Sequence, residues 1–501
     1  MGEYYAYMKK ILCLILCLCV FTSVLLISGC KNHRLCAEEK TSMFRGLDAD
    51  EMFISGYIGP RPTYTRNGEV IWEGLQDATA FEYLKEAGLN YIVDNDFTFS
   101  GNTYESAKKA LELAEEAGIM YFMPAYDVIR MDGDILATDA EIKVKLEEMY
   151  QYNSFGGLYF RDEPYSSMFP HIKNCLEKYN QIKDELGYTD LNVFLNLFPP
   201  LGADHLSNGT DKDMTWDKYI RGLSNTGVEY LSFDMYPIMG LFGNKVTASW
   251  FTALGNINSI ALEEGKPWMG CVQVGGGSAS YGSIEARVTT EGEMKWDVNT
   301  MLAFGAKGLT YYIAVSPPYF ANVEEDQINC HSLINVYGEK TQLWSYAKEI
   351  NEHVKAIDHV LMNCDYKGVI ITGDSPCVHY GKDLLETYGE VNEVTSNALV
   401  GCFDYNGKTA LYVVNNSITQ EGQITLSFDH KLDFEVIQDA VSRTESGNTL
   451  TLNLGIGEAA LVVLESQDRT VTIVVTCAVV AFLGVGAVAT LAVAKGRKRK
   501  R

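Results

Sequence analysis

Histidine is scarce, 8 among 501 residues, and none of them is clustered. A zinc site needs several imidazole or thiolate ligands at close spacing, so a catalytic zinc is not expected. Cysteine does not fill the gap. Of 12 cysteines, Cys13, Cys17 and Cys19 lie in an apolar leader, Cys30 closes it, and Cys477 lies in a second apolar run. The other seven (Cys36, Cys175, Cys271, Cys330, Cys364, Cys377, Cys402) show no CxxC or finger spacing. They read as small buried apolar residues, with Cys364 and Cys377 the one pair open to bridging. A Gly-x-Ser-x-Gly elbow and a phosphate-cradling loop are missing too. Positive charge is short: 41 Lys and Arg against 65 Asp and Glu leave a net charge of −24. Residues 1–30 carry +1 and residues 470–501 carry +6, so the body between them carries −31. Such a body repels nucleic acid and anionic membrane surfaces and suits a neutral or cationic partner. Nothing calls for a cofactor.

What is present begins at the two ends. Lys9-Lys10, the apolar run Ile11–Ser28 and Gly29-Cys30 have the layout of an export signal. Leu26-Ile-Ser-Gly-Cys30 resembles the bacterial lipobox, in which Cys30 would carry the lipid; an uncleaved anchor is the plainer alternative. Thr470–Ala494 holds 25 residues without a charge, and residues 495–501 are basic. That pattern predicts a transmembrane helix with its tail in the cytoplasm, leaving residues from about 31 to 469 outside the cell.

Between the ends, a strand-then-helix alternation repeats eight times after a polar linker at 31–48. The strand candidates are Met52–Gly59, Tyr91–Asp96, Met120–Asp127, Gly157–Glu163, Asn192–Phe198, Tyr230–Pro237, Trp268–Val274 and Leu309–Val315. Several preceding helices end in Gly just before the strand, as the C-cap rule requires. Eight such units in roughly 310 residues match a (β/α)8 TIM barrel, placed at 49–358. A doubly wound sheet would show a Gly-rich phosphate turn after the first strand, and Tyr57-Ile-Gly-Pro-Arg-Pro62 is not one. From 359 to 467 the period changes to short strands separated by turn pairs such as Asn406-Gly407, predicting a small antiparallel β-sandwich packed on the barrel.

A barrel gathers its site at the C-terminal ends of its strands. Those ends supply Tyr57 and Arg61, Asp94 and Asp96, Tyr126 and Asp127, Arg161-Asp162-Glu163, Asn196, Asp234 and Tyr236, Gln273, then Tyr312 and Ser316. Phe198, Trp268, Tyr281, Tyr319 and Phe320 are aromatic candidates for stacking on a sugar ring. Plainer roles compete: Asp162 could hold Arg161, Asp94, Asp96 and Asp127 could cap loops, and Glu291 and Glu293 sit where helix capping is expected. An acidic, aromatic cleft with neither metal ligands nor an activated serine points to carboxylate chemistry, and glycoside hydrolysis needs only two carboxylates.

Tyr159-Phe-Arg-Asp-Glu-Pro164 resembles the Asn-Glu-Pro segment of retaining (β/α)8 glycoside hydrolases of the clan A type, including barrel β-galactosidases. Phe233-Asp-Met-Tyr-Pro237 and the stretch Met301–Tyr312 are similar to segments of the same proteins, and the resemblance spans roughly 50–465. It implies that Glu163 is the general acid/base; of the strand-end residues, Arg161, Asp162, Asn196, Tyr236, Gln273, Asp96, Tyr126, Asp127, Tyr57 and Tyr312 are expected to line the sugar site. It also implies a glutamate nucleophile on the seventh strand, where this chain has Gln273. An amide cannot form the glycosyl-enzyme. Three expectations follow: another carboxylate serves, Asp234 first and Asp127 or Glu285 behind it; Asp234 activates a water for inversion; or the groove binds glycan without cutting it. A carboxyl separation of about 5–5.5 Å suits retention and about 6.5–9.5 Å inversion.

Overall fold

A computed structural model describes residues 41–94, 103–129, 137–239, 245–275, 288–317 and 331–465. The export segment with Cys30 and the apolar run 470–494 lie outside the described residues. Among the described residues no helix is long and apolar enough to cross a membrane.

Eight parallel strands form the barrel: Phe53–Tyr57, Tyr91–Val93, Met120–Pro124, Phe155–Asp162, Asn192–Asn196, Leu231–Phe233, Trp268–Gln273 and Gly308–Tyr312. Seven of the eight are shorter than the apolar run that announced them, their last residues turning into the rim; the fourth, Phe155–Asp162, starts two residues earlier and is one residue longer. Consecutive strands are hydrogen-bonded side by side, and the first pairs with the eighth. The fifth and sixth close the ring through a bridge between Leu197 and Phe233, with the Leu197 N–H donating to Ser232 O at 2.8 Å. Rings stack up the interior. Phe44, Phe53, Tyr91, Phe122 and Tyr230 plug the N-terminal end, and Tyr57, Tyr159 and Phe194 sit above them.

The helices cap themselves as the sequence dictates. Thr103, Thr138 and Thr290 each accept a backbone N–H of the first turn, and Glu293 reaches back to the Thr290 N–H. Glu293 is therefore a capping residue. Cys364 and Cys377 are free, as are Cys175, Cys271 and Cys402; all five are buried.

Residues 364–464 form one continuous antiparallel sheet of seven strands, where two facing sheets were expected. The reason is Gly422–Gln438. Read as two strands, it is a single 17-residue strand whose register shifts between Ser427 and Leu432. Its first half pairs with Val391–Val394 and its second with Ala459–Leu464, so the sheet turns a corner without breaking. It wraps a core of its own, including Val400, Leu411, Leu426 and Val436. The other face lies on the barrel helices Glu291–Ala303 and Gln342–Leu361. There Trp296 donates to Asn416 Oδ1 (3.1 Å), Tyr412 to Asn299 Oδ1 (2.6 Å) and Asn299 to Gly457 O (2.8 Å). Buried, satisfied polar contacts of this kind fix one packing arrangement.

Candidate active site

The fourth strand makes the site possible by being irregular. Gly157 has φ +136, and a Cβ there would fall 1.9 Å from Asn192 O, so only glycine fits. A second register shift lies between Tyr159 and Arg161, against Phe194 and Leu195. Strict alternation would point residues 159 and 162 to opposite faces. The bulge resets the phase: Phe160 turns out to pack on Tyr179 (5.8 Å), while Tyr159 and Asp162 both face the interior. Glu163 follows at φ +43, a left-handed conformation that L-residues with a Cβ avoid. Pro164 removes the next backbone donor.

A backbone bond and a buried tyrosine absorb that turn. The Glu163 N–H donates to Asn196 O at 3.0 Å. Tyr219, fully buried on the helix Trp216–Ser224, donates its hydroxyl to Pro164 O at 2.7 Å and accepts the Phe198 N–H at 3.3 Å. The same helix sends Trp216 Nε1 to Phe198 O at 2.9 Å. One helix thus grips the chain just beyond Glu163 and just beyond Asn196.

Three carboxyls converge. Asp162 is held by the Tyr57 hydroxyl and by Asn196 Nδ2 (3.3 Å), while Asn196 Oδ1 accepts Ser232 Oγ at 3.0 Å. Tyr57 meets the Tyr159 hydroxyl at 2.8 Å. Glu163 and Asp234 lie within hydrogen-bond reach of each other, carboxyl to carboxyl. All three acids are half-buried rather than sealed. Burial, then the Asp162 charge, pushes Glu163 up to about 7, against the pull of its bond with Asp234. Asp234 is raised well above the usual carboxylate range by burial and by the charges of Glu163 and Asp162. Burial also raises Asp162, with Tyr57, Asn196 and the Arg161 charge opposing. Two such acids in contact share a proton, one oxygen donating while the other accepts.

The wall above is aromatic. Tyr312 lies 5.6 Å from Tyr57 and 5.3 Å from Tyr236, ring centre to ring centre, and Tyr236 and Tyr312 are half-buried. The seventh strand behaves differently. Gln273 is 1% exposed, and its side-chain amide is spent on the backbone of Ile238, donating to O and accepting from N, both at 2.9 Å. Behind it Asp297, fully buried on its helix, accepts the Gln273 N–H at 2.9 Å.

Other expected site residues fall elsewhere. Asp94 is buried under the Tyr121 hydroxyl, and Arg61 ties Ser316 O (2.9 Å) and Val336 O (3.1 Å) from inside the rim. Phe198 and Trp268, expected to stack on sugar, are 6% and 1% exposed. They were misplaced because a ring at a strand end serves the helix layer as readily as the cleft. Asp96, Tyr281, Glu285, Tyr319 and Phe320 lie outside the described residues. So do the side chains of Tyr126 and Asp127, whose backbone opens the short helix Tyr126–Ile129. Tyr159, Tyr219 and Asp297 were not singled out by sequence. Tyr159 stands three residues before Asp162 and would be assigned the opposite face without knowledge of the bulge.

No family model matches the chain, and no curated protein is similar to it in sequence. Solved structures resemble it in fold. A β-galactosidase from Bacillus circulans sp. alkalophilus is 10% identical, with 83% of this chain and 99% of that one covered and a TM-score of 0.50. A GH27 β-L-arabinopyranosidase from Geobacillus stearothermophilus is 10% identical, covering 84% of this chain and 97% of that one at a TM-score of 0.43. A GH30 endoxylanase from Clostridium papyrosolvens C71 is 10% identical, covering 82% and 95% at 0.38. The fold shared with that β-galactosidase is an eight-stranded parallel barrel carrying an antiparallel sheet domain.

Proposed function

We propose that the protein hydrolyses O-glycosidic bonds of an oligo- or polysaccharide, with Glu163 as the acid that protonates the leaving oxygen and Asp234 as its partner. The observation that carries this reading is the contact between the two carboxyls at the mouth of a barrel whose fold is shared with the β-galactosidase. Burial keeps a proton on the pair near neutral pH, the state a general acid needs. Asp162, anchored by Tyr57 and Asn196, keeps the like charge that raises Glu163 in place. The carboxyls stand closer than either hydrolytic geometry requires. In this reading an entering sugar parts them, breaking one hydrogen bond and freeing Glu163 to donate while Asp234 turns to the anomeric carbon or to a water. Tyr236 and Tyr312 offer ring faces to the sugar. The apolar runs at both ends support display on the outer face of a membrane.

The test is hydrolysis by the purified body, residues 41–465, of a panel of aryl glycosides and polysaccharides. Turnover is expected to fall as pH rises through about 7, when the shared proton is lost. Glu163→Gln should lower it about 10²–10⁴-fold with the far-UV spectrum unchanged. A variant as active as the parent would overturn the assignment. Loss of hydrolysis in both, with glycan still bound, would leave a binding protein on the same scaffold; Gln273 in place of a nucleophile favours that second reading.

A further inference from the structure

Five of the six tryptophans are sealed: Trp216, Trp250, Trp268, Trp296 and Trp344 are between 0% and 9% exposed. Trp72 alone keeps its ring partly in solvent. It stands on a hairpin, Tyr64–Arg66 against Glu69–Trp72, that leaves the C-terminal end of the first barrel strand and so rises from the same rim as Glu163. Asn67 and Gly68 turn it, both at positive φ (52 and 83), as a two-residue primed turn requires. Tyr64 and Trp72 pair across the strands with ring centres 5.4 Å apart and planes 30° apart.

Every residue from Thr65 to Ile71 is exposed, Val70 at 53% and Ile71 at 43%, so the arm projects rather than packs. A lone two-stranded hairpin is marginal in water, and this one is fixed at its base. Gly74 N–H donates to Thr63 Oγ1 (2.9 Å) and Leu75 N–H to Arg61 O (2.8 Å). The buried Arg61 guanidinium fastens that base to Ser316 O and Val336 O in the loop after the eighth strand. The same loop carries Tyr337, 61% exposed.

We propose that this arm is a glycan subsite in which Trp72, backed by Tyr64, stacks on a pyranose unit lying beyond the one held at Glu163. A pyranose offers a flat face of C–H groups and a rim of hydroxyls. The aromatic pair fits the first, and Arg66, Asn67 and Glu69 on the same exposed hairpin are placed for the second. The arm therefore selects a chain of several sugars over a single one. The inference rests on the carbohydrate reading of the carboxyl site and deepens it.

The test uses the full chain in detergent micelles carrying Glu163→Gln, so that bound glycan is not cut. It is run through native gels containing xylan, mixed-linkage β-glucan, galactan, galactomannan or pectin, and followed by tryptophan fluorescence in solution. With only Trp72 near solvent, the retarding glycan should change the emission. Trp72→Ala should abolish both retardation and emission change, and Trp72→Phe should retain part of the retardation. In the otherwise wild-type protein Trp72→Ala should raise KM for the polysaccharide at least tenfold and leave kcat/KM for the aryl monosaccharide within twofold. Retardation in no gel, or retardation that Trp72→Ala leaves intact while melting is unchanged, overturns the proposal. So does a dimer that Trp72→Ala dissolves without effect on glycan. Glycan binding that depends on Trp72, in a protein that hydrolyses nothing, keeps the subsite and discards the hydrolase.

Discussion

The fourth and seventh strands both end in a polar side chain at the barrel rim, and they handle it in opposite ways. Gln273 is sealed, its amide satisfied at both ends by one backbone unit and its N–H by a buried acid. Glu163 is half-open, set on a left-handed residue and facing another carboxyl. A satisfied amide lowers the energy of the resting fold and has nothing left to offer a ligand. Two acids in contact raise that energy and persist only because surrounding bonds hold them, the pattern expected where chemistry is done. The seventh-strand position is architecture, and the fourth–sixth pair is where the proposed chemistry would lie.

The sharpest way to break that comparison is to exchange the two characters. Asp234→Asn leaves the shape of the pair and removes its second ionisable oxygen; turnover should drop about 10²–10⁴-fold, and the pH profile should lose one limb. Gln273→Glu restores the glutamate implied by resemblance but sets a carboxylate against Ile238 O in a sealed site. It should give no gain in turnover and a loss of about 3–5 kcal/mol in stability, read from chemical denaturation. A stable, faster Gln273→Glu protein would show that the seventh strand is open after all.

Much of this was legible from sequence, for physical reasons that also explain the rest. Parallel strands buried on both faces read as continuous apolar runs, so the eightfold alternation stood out. Polar residues at their ends are therefore expected on one rim, which gathers Asp162, Glu163, Asn196 and Asp234. The bulge at Phe160 was not legible, because it arises from pairing with the fifth strand and not from local propensity. The Gln273 amide was taken for a ligand because its partner, the Ile238 backbone, is brought in by a different loop. The hairpin around Trp72 did carry a signal: Asn67-Gly68 between Tyr-Thr-Arg and Val-Ile-Trp is a hairpin turn, overlooked because the barrel period dominated that region.

A smaller effect separates grip from chemistry. Tyr219→Phe keeps the ring and removes the hydroxyl that joins Pro164 to Phe198, leaving a buried carbonyl and a buried N–H without that partner. A loss of about 1–3 kcal/mol in stability is expected. If the clip holds Glu163 in register, kcat should also fall while KM stays put. Loss of stability with unchanged kcat would assign Tyr219 to packing alone.

A pH-dependent effect concerns the acid behind the seventh strand. Burial pushes Asp297 up to about 8, opposed only by the Gln273 N–H it accepts. An unfolded aspartate releases its proton near 3.9. Between these values the native state holds a proton that the unfolded state has released, so each step up in pH favours unfolding. The slope contributed by one such group is at most about 1.4 kcal/mol per pH unit. Stability should therefore decline from about pH 4 to about 8 and flatten above it. Glu163, Asp162 and Asp234 contribute slopes of the same sign, so the wild-type curve alone does not isolate Asp297. Asp297→Asn does: it keeps an acceptor for the Gln273 N–H and cannot ionise. Its stability measured against wild type should be closest near pH 4–5 and pull ahead as pH approaches 8. Parallel curves across that range would mean that the acid behind Gln273 is already ionised in the fold, and that the seventh strand carries a charge the comparison denies it.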